Sequence, residues 1–183
     1  ESYDIDIENK EIAKLKDLCL ETDLSTPTIV VPPETEDGDQ LADRIARALG
    51  DTAEVREGAT ISDDEYGNAH IVAAGNAHTS RVVRHLGMNF YAWTDDYYPG
   101  EDGYEVRTIH NPFGTGKNVV QLGGSTPEGV ARAGEAFLAH LEAEGLQIGR
   151  INEAVSRHNP SSYPSDAEAR EITAKVNEQV ALS

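Results

Sequence analysis

Cysteine is nearly absent: Cys19 is the only one in 183 residues, so no intrachain disulfide can brace the fold. It lies in "EIAKLKDLCLETD", where Ile12, Leu15, Leu18 and Cys19 recur at helical spacing, which predicts a core or interface thiol rather than a nucleophile. Lysine is scarce too, with five against ten arginines, and these fifteen bases face 33 acids for a formal net charge of −18. An excess of that sign repels phosphate backbones and anionic membrane surfaces, which argues against nucleic acid as a partner. The acids are spread along the chain rather than gathered in a tail. That pattern fits a hydrated surface, whether of a salt-adapted protein, of one that meets divalent cations, or of a plain acidic soluble protein. No apolar run is long enough to span a bilayer, so no membrane insertion is expected. There is no signal-peptide pattern, yet the first residue is Glu1, and export is left open. Catalytic signatures are also lacking. The six histidines form no HxxxH or HExxH set, and no GxSxG turn occurs.

The chain does hold a sequence of amphipathic units on a length sufficient for one full core. "STPTIVVPP" predicts a short β-branched strand, Thr28 to Val31, closed by two prolines that cannot extend a ladder. In "DQLADRIARALG", Leu41, Ile45, Ala48 and Leu49 share a helical face, and Gly50 stands where a left-handed cap is wanted. "TAEVREGATI" reads as a half-buried strand, whereas Ile71 to Ala74 in "NAHIVAAGN" is too continuous for an exposed edge. A short helix over "SRVVRHLG" buries Val82, Val83 and Leu86. Two β runs follow, "GYEVRTIH" and "KNVVQLGG", joined by "NPFGTG" as a hairpin connection. The strongest helix is "STPEGVARAGEAFLAHLEAEG", with Ser125 and Glu128 as its capping box, Pro127 in the first turn, and Gly134 on its apolar face to let it approach a sheet. Past Gly145 the pattern loosens into a linker, "SRHNPSSYPSD". A last helix then opens at Ser165 and Glu168, carrying a thin stripe of Ile172, Val176 and Val180 that suits docking on something else.

"FGTGK" has the look of a phosphate loop but lacks its glycine spacing, its Ser or Thr after the lysine and its following helix, so it reads as a turn. Asp63, Asp64 and Glu65 in "SDDE" read as solvated loop charge rather than glycosidase carboxylates. Asp95, Asp96, Glu101 and Asp102 offer hard oxygen ligands of the kind calcium takes, without the ordered alternation of a calcium loop. No cofactor is expected beyond such a calcium ion.

Aromatic residues are few, and six of the eleven crowd into "MNFYAWTDDYYPGEDGY": Phe90, Tyr91, Trp93, Tyr97, Tyr98 and Tyr104. Trp and Tyr stack on the C–H faces of sugar rings while offering a polar handle. They are equally the side chains of domain interfaces and of loops that pack on themselves. Tyr104 belongs to the start of a strand and Phe90 is expected in the core. Tyr91, Trp93, Tyr97 and Tyr98 remain as candidate glycan contacts or as rings facing a neighbour.

The order of elements, with "NAHIVAAGN", "DGYEVRTIH" and "KNVVQLGGSTPEGVARAGEAFLAHL", resembles the small α/β accessory domain that precedes the catalytic domain in carbohydrate-active enzymes of the β-hexosaminidase and α-glucuronidase type. The likeness runs over Pro27 to Glu144, with "TIVVPP" matching an early strand, Asp102, Gly103 and Tyr104 a strand start, and Gly129 a glycine near the start of the last helix. It implies an α/β (α+β) fold: a two-layer sandwich of a mixed or mostly antiparallel sheet of four or five strands with packed helices and flanking terminal helices. The division expected is 1–26 as an N-terminal helical extension, 27–144 as the accessory-type domain, and 145–183 as linker and C-terminal helix. It further implies a chain that is not catalytic by itself, in an extracellular or cell-surface glycoside hydrolase or polysaccharide lyase. Its partners would be polysaccharide or an adjacent catalytic domain. The family's catalytic residues lie outside this domain, so none carries over.

Overall fold

The computed structural model describes residues 21–35, 38–156 and 165–181. The first predicted helix and Cys19 lie outside the described residues. At the centre stands a six-stranded sheet in the order β3-β2-β4-β6-β5-β8. Its strands are β2 (Thr28–Val31), β3 (Ala53–Val55), β4 (His70–Ala74), β5 (Tyr104–Ile109), β6 (Val119–Gly124) and β8 (Asn152–Val155). β3, β2, β4 and β6 run parallel; β5 pairs antiparallel with both β6 and β8. A separate two-residue clasp joins β1 (Thr22–Asp23) to β7 (Gln147–Ile148). The α/β class with a mixed sheet and packed helices is therefore as expected, with six strands rather than four or five.

Strand alternation sends side chains to two separate cores. Val30, Val72, Val106, Val120 and Leu122 face α1 (Gly38–Leu49) and α4 (Pro127–Glu144), whose Ile45, Leu49, Ala133 and Phe137 complete one cluster. Ile29, Val31, Ile71, Ala73 and Val119 face the other way, onto Val82, Val83 and Leu86 of α3 (Arg81–Met88). Helices thus cover both faces, adding a layer to the sandwich. The uninterrupted "HIVAA" run follows from this, because every residue of β4 is buried.

Local chemistry sets the element ends. Gly50 and Gly145 close α1 and α4 with φ of 83° and 79°, conformations that penalise a Cβ. α4 is capped by Thr126, which accepts from Gly129 N, and not by Ser125 as the spacing suggested. Ser125 instead accepts a hydrogen bond from Gly100 N at 3.0 Å. The close approach of α4 falls at Gly124, where a Cβ would lie 2.4 Å from Val130 N, while Gly134 meets Leu41 of α1 rather than the sheet. "SDDE" is not loop charge: it opens the short α2 (Asp63–Asn68), with Ser62 and Glu65 as a capping box and Arg56 bound to Glu65 at 2.7 Å.

Leu24 and Ile148 are fully buried, so residues on either side of 27–144 share the first core. β7 and β8 occupy the region where the sequence pattern loosens. The last helix, α5 (Asp166–Ala181), has the capping box expected at Ser165 and Glu168. Its stripe is not covered by the domain, since Val176 is 37% exposed and Ile172 only half-buried. No described helix is long and apolar enough to cross a membrane.

Candidate functional site

α3 covers only part of its face, and the segment 89–103 continues over β6 and β5 in place of a helix. At the end of α3, Tyr91 N bonds Leu86 O and Phe90 N bonds Gly87 O, both at 3.0 Å. This is the paired bonding of a Schellman motif, in which the residue after the cap is left-handed and is usually glycine. Here it is Phe90, with φ of 62° and 97% exposure. Phe90 is therefore not a core residue, because the left-handed turn swings its side chain into solvent.

The segment then builds a fixed aromatic ridge. Trp93 lies against α3 at Gly87, where a Cβ would come within 2.2 Å of the indole Cε3. Its Nε1 donates to Asp95 Oδ2 at 2.7 Å, and Asp95 Oδ1 accepts from the backbone N of both Tyr97 and Tyr98 at 2.8 Å. A cis bond joins Tyr98 to Pro99. Tyr91 and Trp93 are each 46% exposed and, with Met88 and Phe90, form a row of large apolar side chains open to solvent. Tyr97 and Tyr98 are half-buried. The four candidate aromatics thus divide into two on the ridge and two in the body of the loop. Tyr104 begins β5 and packs against the first core, as expected.

Beneath this segment the sheet presents a polar patch. Glu105 is 1% exposed and lies 2.5 Å from Arg107 Nε, yet neither of its oxygens makes an aligned hydrogen bond; Gln121 Oε1 is likewise unpartnered. Burial raises the Glu105 carboxyl above the usual range, and the opposing effects of Arg107 and the Tyr98 hydroxyl are smaller. The Tyr98 phenol is raised as well, first by burial and then by Glu105. Beside the patch opens a cleft of about 340 Å³ lined by Tyr91, Arg107, Thr108, His110, Arg150 and Asn152. Burial and the nearby Arg150 charge lower the pKa of His110, so its ring stays neutral through the usual imidazole range and below it.

A second cavity, of about 290 Å³, lies at the carboxyl ends of β2, β4 and β6 between Pro33, Leu41, Asn76, Ser125, Pro127 and Val130. The chain turns one way from β2 to β3 and the other way to β4, and such reversals open a crevice in α/β sheets. Its buried polar side chains are already engaged: Asn76 Oδ1 accepts from His78 N and Thr79 N, its Nδ2 donates to Asp96, and Ser125 holds Gly100.

Three of the four acidic residues offered as calcium ligands are tied to separate partners. Asp95 holds the aromatic turn, Asp96 meets Asn76 and His78, and Asp102 pairs with Arg132 at 3.4 Å, while Glu101 is exposed. Among the described residues no three His, Cys, Asp or Glu side chains gather as a metal site. Both cavities escaped the sequence reading. Their walls come from strand ends distant in the chain, and only a parallel-strand assignment would have pointed to the second. No protein-family model matches the chain, and no curated protein matches it.

Proposed function

We propose that the chain is a non-catalytic accessory domain of a polysaccharide-degrading enzyme and contacts glycan through its aromatic ridge. The observation that carries this reading is Trp93, held against Gly87 and hydrogen-bonded to Asp95, with Tyr91 two residues before it and both rings half open to solvent. Rigid, partly exposed rings lose little entropy on stacking against a sugar face. The resemblance in element order to accessory domains of carbohydrate-active enzymes agrees with it. Titration with a panel of oligosaccharides, followed by Trp93 fluorescence, is expected to quench or shift the emission for at least one glycan. Silence across the panel, or a response unchanged after Tyr91→Ala, sinks the reading.

One observation favours a second reading, in which the ridge docks on another protein domain. Met88 is 58% exposed and Phe90 97%, and neither has a polar handle for a sugar hydroxyl. A patch of this composition matches the centre of a protein interface. In that case Phe90→Ser abolishes association with the neighbouring domain and leaves glycan titrations silent in both proteins.

A further inference from the structure

The cleft between β5 and the approach to β8 runs against the character of the chain. Acids outnumber bases 33 to 15 overall, and several arginines lie against carboxylates: Arg44 with Glu135, Arg56 with Glu65, Arg132 with Asp102. In the cleft the balance inverts, since Arg107 and Arg150 line it beside the neutral His110 and no carboxylate does. Arg150 is exposed and forms no ion pair with a described residue. Arg107 approaches the buried Glu105 through Nε, and its terminal nitrogens donate to no described residue. His110 Nε2 is buried without a partner, and Asn152 sits opposite Arg107 across the β5–β8 pair. Polar groups without a hydrogen-bond partner among the described residues therefore converge on one cavity from β5, β8 and the turns beside them.

We propose that this cleft binds the carboxylate or sulfate group of an acidic sugar residue whose ring lies on Tyr91. The assignment rests on the glycan reading above and names its ligand class. Guanidinium groups match both anions with forked, charge-assisted hydrogen bonds, and the Asn152 amide adds a neutral contact. Tyr91 both lines the cleft and stands on the exposed ridge, so one ring spans the two surfaces. The volume, about 340 Å³, lies at the lower end of small-ligand sites. Neutral sugars gain only the stacking part of this site. In a chain of net charge −18, long-range steering does not favour anions, so the affinity has to come from these contacts.

The test is calorimetric titration of the full chain with four probes: an oligogalacturonide, a sulfated oligosaccharide, a neutral oligosaccharide of equal length, and inorganic sulfate. At least one acidic oligosaccharide is expected to bind more tightly than the neutral one, and the two acidic arms separate carboxylate from sulfate. Arg150→Gln should weaken that binding about tenfold or more, since it removes a charged hydrogen-bond donor. Arg150→Lys should recover only part of it. Arg150 is exposed and unpaired, so these variants keep the fold; His110→Gln supplies an independent probe of the same cleft. Equal binding of neutral and acidic oligosaccharides overturns the assignment and leaves the glycan reading intact. Absence of binding by any oligosaccharide overturns both. Acidic binding unchanged in Arg150→Gln and His110→Gln, or no tighter than inorganic sulfate alone, also overturns the assignment.

Discussion

Glu105 shows how one buried carboxyl couples stability to pH. Its folded pKa is raised by burial, so between the ordinary carboxylate range and that higher value the folded chain binds more protons than the unfolded one. Stability from this group is therefore greatest at the acid end of that window and falls as pH rises through it. Above the folded pKa the full penalty of a buried charge is present. Urea unfolding across a pH series should show this downward slope in the native chain, and Glu105→Gln should remove it; an identical slope in both rejects the account. His70 works in the opposite sense. It is 7% exposed, its Nδ1 accepts from Asn118 N, and burial lowers its pKa. The unfolded chain takes up that proton first, so stability is lost as pH falls below the ordinary imidazole range, and a variant lacking His70 is expected to lose this acid sensitivity.

At the scale of elements, the end of α3 carries strain that its surroundings do not require. A β-carbon in the left-handed conformation is disfavoured, and Phe90 has no buried contact to offset it. Phe90→Gly is expected to stabilise the chain by about 1 kcal/mol in urea unfolding. A loss of stability instead would mean that the exposed ring packs in a way its 97% exposure does not reveal. The larger elements were legible from their periodicity: Thr28–Val31, the helices around Ile45, Val83 and Phe137, and the strand at Ile71. What escaped was short or polar. α2 spans six residues, "DDEYGN", and β8 reads "NEAV", neither with enough apolar pattern to announce a period. The third layer was implied by "HIVAA", whose continuous burial requires cover on both sides. The aromatic ridge was visible in composition. The cleft was not, because Arg107 and Asn152 are brought together only by antiparallel pairing of β5 with β8.

For the whole molecule, the two cores predict where damage spreads. Phe137 is fully buried in the cluster that joins α4, α1 and the sheet, and Phe137→Ala is expected to cost about 3–5 kcal/mol, measured by urea unfolding. Against a total of about 5–15 kcal/mol for a typical domain, that is a large share. Removing Ser165 onward should instead shift stability by no more than about 0.5 kcal/mol, because the described side chains of α5 are exposed or half-exposed. A substantial loss would show that α5 braces the domain. The strand order has a further consequence for synthesis. β5 lies between β6 and β8, and β8 is made last, after the whole of α4. While the chain emerges from the ribosome, the outer edge of β5 stays unpaired until Asn152–Val155 is released. The nascent chain thus exposes an open strand edge beside Tyr104 and Val106 while the 42 residues between β5 and β8 are made, and its window of vulnerability to mispairing closes only with the last strand of the sheet.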